Sequence, residues 1–177
     1  MTKAESVLLR VGGVLDRLNV PFFLILGACL GLVRDGHLID GDRDIDVGCL
    51  YEDLHPKAEA IAHAFPKSRI ISSKRHVLRA VKVYPADGPH VDIAGFIRRD
   101  DVRYCPSSYL DYCLVYPANI LESGAHFEYL GRAWRLPNPP EMYCRLQYGD
   151  SWRTPNPKWN PKNSPSRIYG FYGRGKA

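Results

Sequence analysis

The sequence has no C-x-x-C pair, no apolar run long enough to cross a bilayer and no sustained lysine–arginine block in its first half. Each absence removes a class of function. The five cysteines, Cys29, Cys49, Cys105, Cys113 and Cys144, are scattered. An odd, unframed set argues against a disulfide scaffold and a structural zinc site, and predicts buried free thiols in a reducing compartment. The longest apolar run, Val20 to Val33, ends on Arg34-Asp35 and falls short of the roughly 20 residues a spanning helix needs. The opening MTKAESVLLRVGG lacks the apolar core and small-residue cleavage site of a secretory signal. Together these features predict a cytoplasmic protein with no membrane span. No internal repeat is present.

What is present fits one domain. A chain of 177 residues can bury a substantial core, and 45% hydrophobic with 24% charged residues is ordinary for a globular protein. The net charge of +5 favours anionic partners. Without a basic block to line a duplex, phosphorylated small molecules or glycans are expected ahead of nucleic acid.

The informative stretch is LGACLGLVRDGHLIDGDRDIDVG, Leu26 to Gly48. The apolar run Phe22 to Leu26 reads as a buried strand that turns at Gly27 into a short helical pattern. Asp44-Ile45-Asp46-Val47 then reads as a second strand. Residues two apart in a strand share a face, so Asp44 and Asp46 project together while Ile45 and Val47 enter the core. Adjacent carboxylates repel, and a divalent cation relieves the conflict; Mg²⁺ typically takes one or two carboxylates and completes its shell with water and substrate phosphates. An alternating acid/apolar strand is also what a plain wet edge looks like. The glycine turn upstream favours chemistry, because a bare Cα and a helix N-terminus let backbone approach a phosphate.

Elsewhere, Ala4, Val7, Leu8, Val11, Val14, Leu15 and Leu18 form a helical stripe over residues 4–18. Residues 52–65 read as a helix with Pro56 in its first turn. Strand-like runs follow at Arg69–Ser73, Val77–Tyr84 and His90–Phe96, and the last carries Asp92 as a third acid, with His90 on the same face as a structural histidine. Residues 99–125, rich in Tyr and Pro, read as an irregular lid or acceptor-side insertion. His126–Leu136 reads as a hairpin, and Pro140 begins a helix that runs through Leu146 and ends at Gly149. The tail from 156 lacks apolar periodicity and reads as a solvated or partly ordered basic extension.

Two blocks of this sequence resemble the LicD/fukutin-like family. Gly27, Leu30, Gly31 and Arg34 fit the family's glycine-led turn; Ile39, Asp42, Asp44, Ile45 and Asp46 fit its acidic motif. Asp40, Gly41 and Arg43 depart from it, standing where the family often has Pro-Trp and a further Asp. About a hundred residues on, Leu136-Pro137, Pro140 to Leu146 and Tyr148-Gly149-Asp150-Ser151-Trp152-Arg153-Thr154-Pro155 are similar to the family's closing hairpin, helix and Y-G-x-x-W-x-x-P run. The resemblance implies an α+β, nucleotidyltransferase-like fold, a short mixed β-sheet flanked by helices, with a catalytic domain over 1–155 and a basic extension over 156–177.

It further implies Mg²⁺ or Mn²⁺ held by Asp44, Asp46 and Asp92, with Asp92 completing the metal shell or acting as base. Gly27, Gly31, Arg34 and Asp42 are the expected substrate-binding residues, although a surface ion pair with Asp35 is the plainer role for Arg34. The implied reaction moves phosphocholine or an alditol phosphate from a CDP-linked donor to a hydroxyl acceptor such as a glycan. Two alternatives use the same residues: NMP transfer from an NTP donor, and a catalytically silent binding module.

Overall fold

The computed structural model describes residues 1–72, 77–106 and 112–171. Helix α1, Lys3–Arg17, opens with a capping box: the Glu5 N–H donates to Thr2 Oγ1 (3.1 Å) and the Thr2 N–H to Glu5 Oε2 (2.6 Å). Its stripe Val7, Leu8, Val11, Val14 and Leu15 is buried, as the period predicts.

The site is built next. Strand β1, Phe23–Leu24, is shorter than the apolar run suggests, because the chain turns into helix α2, Leu26–Asp35, one residue before Gly27. Strand β2, Asp44–Leu50, lies antiparallel to β1, and the Ile25 N–H donates to the Asp46 carbonyl (3.1 Å). The helix expected over 52–65 is divided into α3, Tyr51–Leu54, a 3₁₀ turn at His55–Lys57 and α4, Ala58–His63. Pro56 has no N–H to give to an α-helical ladder, and the break falls there.

Strands β3, Ser68–Ser72, and β4, Leu78–Val83, form a hairpin edge. Strand β5, His90–Arg99, is the longest and joins the sheet together. It pairs parallel with β2, Asp44 opposite His90 through Leu50 opposite Phe96, and antiparallel with β4. Its last three residues pair with β6, Val102–Pro106. Strand β7, Tyr112–Pro117, follows, then helix α5, Ala118–Ser123. Much of the segment expected to be irregular is therefore sheet and helix, although 107–111 lie outside the described residues. Strands β8, Ala125–Tyr129, and β9, Arg132–Leu136, form the expected hairpin, and helix α6, Pro140–Tyr148, closes at Gly149.

The tail, read as a solvated or partly ordered extension, is ordered where it meets the sheet and α6. Strand β10, Arg167–Tyr169, pairs with β7, and Ser164 and Ser166 donate to Gln147 Oε1 (3.0 Å) and the Leu146 carbonyl (2.7 Å). The result is an eight-stranded mixed sheet in which β2 and β5 make the parallel pair among the described residues. All five cysteines are buried, and none is in a disulfide.

One charged knot anchors the middle of the sheet. The buried Arg103 guanidinium on β6 donates to both oxygens of Glu52 (2.6 and 2.8 Å), to Glu122 Oε1 (2.8 Å) and to the Phe96 carbonyl (3.2 Å). Every one of its faces is answered by an acceptor.

Candidate active site

Register places the three acids read from the sequence side by side. Asp46 on β2 is the cross-strand partner of Asp92 on β5, and Asp92 is the partner of Lys82 on β4. Asp44 and His90 form the next row on the same face. Ile45 and Val47 alternate with the acids and are buried, as the period-2 reading requires.

The row is crowded with negative charge. Lys82 Nζ donates to Asp92 Oδ2 at 2.6 Å, while Asp92 Oδ1 is buried with no hydrogen-bond partner. His90 Nε2 stands 3.7 Å from Asp44 Oδ2 and 3.8 Å from Asp92 Oδ1, beyond hydrogen-bond distance. Asp42 adds a fourth carboxylate from the loop before β2; its Oδ1 accepts the Arg43 N–H (2.9 Å) and its Oδ2 comes against Gly27. Burial pushes Asp46 well above the usual carboxylate range, and the charges of Asp44, Asp92 and Asp42 push it the same way, with Lys82 opposing. Partial burial of the Asp42 carboxyl, then Asp44 beside it, raises Asp42 also.

The donor set is all hard oxygen, the kind that suits Mg²⁺ or Mn²⁺. An unanswered buried carboxylate oxygen and a strongly repelled Asp46 are what a divalent cation would relieve. Among the described residues no group of three or more His, Cys, Asp or Glu side chains is already arranged to hold a metal ion. The fit is thus to a partial shell, with carboxylates on one side and the remaining positions left to substrate phosphates and water.

The other expected residues divide. Gly27 lies at the site: an added Cβ there would meet the Asp42 carboxylate, so the bare Cα makes room for that acid. Gly31 makes room for the chain itself, since an added Cβ would come within 2.6 Å of the His37 carbonyl and 2.9 Å of the Ile39 nitrogen. Arg34 is paired with its neighbour Asp35 through two hydrogen bonds (2.9 and 2.7 Å), the plainer role.

Sequence reasoning passed over two contributors. Lys82 is one; its signal is a lysine between the buried valines Val81 and Val83, which turns it to the face opposite theirs. Tyr143 on α6 is the other, and its hydroxyl accepts the Leu26 N–H (3.0 Å). Leu26 has φ 48°, a left-handed conformation that costs a non-glycine residue roughly 1 kcal/mol or more. The second sequence block therefore props the turn that starts the first.

Comparison with solved structures defines the fold class. A lincomycin-bound lincosamide antibiotic adenylyltransferase, LnuA, superposes with a TM-score of 0.54 at 13% identity, covering 76% of this chain and 80% of that one. ANT(2")-Ia in complex with adenylyl-2"-tobramycin gives 0.54 at 16% identity, covering 89% and 81%. The fold is nucleotidyltransferase-like. Residues 19–138 match the profile LicD/FKTN/FKRP, nucleotidyltransferase domain, and the chain belongs to that family. The ribitol-5-phosphate transferases FKTN of Homo sapiens and Mus musculus are each 25% identical over 185 and 186 residues, 93% and 94% of this chain. The chain spans 36% of the length of these relatives. No described helix is long and apolar enough to cross a membrane.

Proposed function

We propose that this chain is a metal-dependent transferase that moves a phospho-alcohol group from a CDP-linked donor to a hydroxyl acceptor. The observation that carries it is the pairing of Asp46 with Asp92 in register, beside Asp44, in a chain of the LicD/FKTN/FKRP family. Similarity to ribitol-5-phosphate transferases supports the phospho-alcohol as the group moved.

Asp44 and Asp46 would hold Mg²⁺ or Mn²⁺, with Asp92 or Asp42 joining them, and the ion would supply neutralisation of the donor's pyrophosphate charge. Phosphoryl transfer asks little covalent chemistry of the protein; positioning and charge carry it. The backbone at Gly27 and Ala28, at the N-terminus of α2, offers N–H donors to a phosphate. Asp92, whose Oδ1 has no hydrogen-bond partner, would complete the metal shell or accept the proton of an attacking hydroxyl. Lys82 holds the other oxygen of Asp92 and fixes the carboxylate's orientation.

The test is turnover of the purified chain with Mg²⁺ or Mn²⁺ against CDP-ribitol, CDP-choline, CDP-glycerol and the four NTPs, with pooled glycan acceptors. Release of CMP from a CDP-alcohol, lost in Asp44→Ala and Asp46→Ala, is the expected result and names the donor. Pyrophosphate from an NTP would replace this reading with nucleotidyl transfer. Silence from folded protein, with no Mn²⁺-induced thermal shift, would leave a binding module.

A further inference from the structure

The C-terminal tail and the candidate site are joined by a buried run of side chains. Leu26 gives its N–H to the Tyr143 hydroxyl (3.0 Å). The Tyr143 ring packs on that of Tyr116, centroids 5.0 Å apart. The Tyr116 hydroxyl donates to Gln147 Oε1 at 2.6 Å, and Ser164 Oγ donates to the same oxygen at 3.0 Å. Tyr116, Tyr143, Gln147 and Ser164 are all buried, so each polar group depends on its protein partner.

The two ends of this run are far apart in sequence and unlike in role. At one end Leu26 holds φ 48°, a conformation that only its surroundings compel. Gly27 and Ala28 beside it offer the N–H donors at the start of α2. At the other end Ser164 stands between the 3₁₀ turn Pro161–Asn163 and β10. Tyr143 and Gln147 are four residues apart on α6 and share one face, so a single helix meets both ends. The Gln147 oxygen has two lone pairs, one answered from the sheet and one from the tail.

We propose that Ser164 and Gln147 are positioning residues for the start of α2, holding the Leu26 turn through Tyr116 and Tyr143. Packed rings and hydrogen bonds of this kind carry a shift at one end to the other. Loss of the Ser164 hydroxyl frees the Gln147 amide, then the Tyr116 hydroxyl, then the ring that supports Tyr143. The relay is independent of any activity; what it positions, a phosphate cradle, rests on the transferase reading.

The test is amide NMR on the ¹⁵N-labelled chain, comparing wild type with Ser164→Ala, Tyr143→Phe and Asn160→Ala. Asn160 caps the 3₁₀ turn beside Ser164, its side chain accepting the Lys162 N–H (2.9 Å), and lies outside the relay. Its loss loosens the same tail, so it controls for stability alone. Ser164→Ala is expected to move the Leu26, Gly27 and Ala28 resonances in the direction of Tyr143→Phe. Hydrogen exchange at Leu26 should quicken about fivefold. Asn160→Ala should lower Tm and leave these amides in place. Amides unmoved by Ser164→Ala, or moved as far by Asn160→Ala, would overturn the proposal. Titration with CMP plus Mg²⁺ separates it from the transferase reading, with Ser164→Ala expected to weaken binding about fivefold. Equal binding by wild type and Ser164→Ala would overturn the positioning role and leave the transferase reading intact. A Leu26 amide that answers Ser164 in a chain that binds no CMP would keep the relay and overturn the transferase reading.

Discussion

Strand β5 carries two charged clusters, and they are built on opposite terms. Near its middle, the Phe96 carbonyl helps to surround Arg103, whose guanidinium meets two carboxylates and a backbone oxygen. Near its start, Asp92 stands among Asp42, Asp44 and Asp46 with one lysine between them, and one of its oxygens is unanswered. The first cluster is complete without a ligand. The second is stable only as far as the surrounding sheet compels it. A buried charge that is fully paired argues for architecture, and a repelled one in a cleft argues for chemistry.

Substitutions should therefore divide activity from stability along β5. Asp46→Asn is expected to lower turnover by about a thousandfold, the scale of losing one preorganised charge-stabilising group. The same change removes a repelled charge at constant shape, so the ligand-free protein should gain about 1 kcal/mol, or roughly 2–4 °C in Tm. A loss of Tm with the loss of activity would make Asp46 structural and erase the contrast. Arg103→Met should do the reverse. It leaves Glu52 and Glu122 without their common partner, and because Glu52 is half-exposed the cost falls at the low end for such pairs, about 3 kcal/mol. Thermal denaturation reads that loss, and turnover per folded molecule should stay near wild type.

A pair of glycines sharpens the contrast within one helix. Alanine at Gly31 would meet backbone, which cannot swing away, and should destabilise by about 2 kcal/mol. Alanine at Gly27 would meet only the Asp42 side chain, which can turn aside. Stability should hardly move there, while displacement of Asp42 lowers turnover about 10- to 100-fold. Equal Tm losses for the two variants would mean that Gly27, too, is a packing residue.

The acid pair was legible because its signal is local. Period-2 alternation across Asp44 to Val47 fixes which face the carboxylates share, and the strand around Asp92 has the same form. The face of Lys82 is legible from the valines on either side, but its partner Asp92 is not, because the β4–β5 register, a long-range fact, chooses it. Asp42 lies at an exposed loop position where no period applies, and only the family resemblance pointed to it. The strands of 102–117 escaped notice because Pro and Tyr blur their alternation. Strand β10 escaped because three residues at an edge, held by serine hydrogen bonds to α6, carry no hydrophobic pattern at all. What the residues did supply was an ordered pair of motifs, and the Tyr143–Leu26 hydrogen bond is a physical reason the two travel together.

The smallest effect expected is the dependence on pH, and there the two clusters should differ in sign. Glu52 is held below its unperturbed 4.5, first by its hydrogen bonds from Arg103. Its folded pKa lies under its unfolded one, so its stabilisation is present above about 4.5 and is lost as pH falls through the lower folded value. Asp46 is raised above its unperturbed 3.8. The unfolded chain then gives up the proton first, and a penalty accumulates as pH climbs from 3.8 toward the folded value. Melting curves taken in EDTA across this range should show Glu52→Gln costing stability at neutral pH and nothing once the pH is well below 4. Asp46→Asn should be neutral in acid and stabilising at pH 7. Slopes of the same sign in both variants would mean that Asp46 keeps a compensating partner when no metal is present, and the division of β5 into an answered and an unanswered cluster would fall with it.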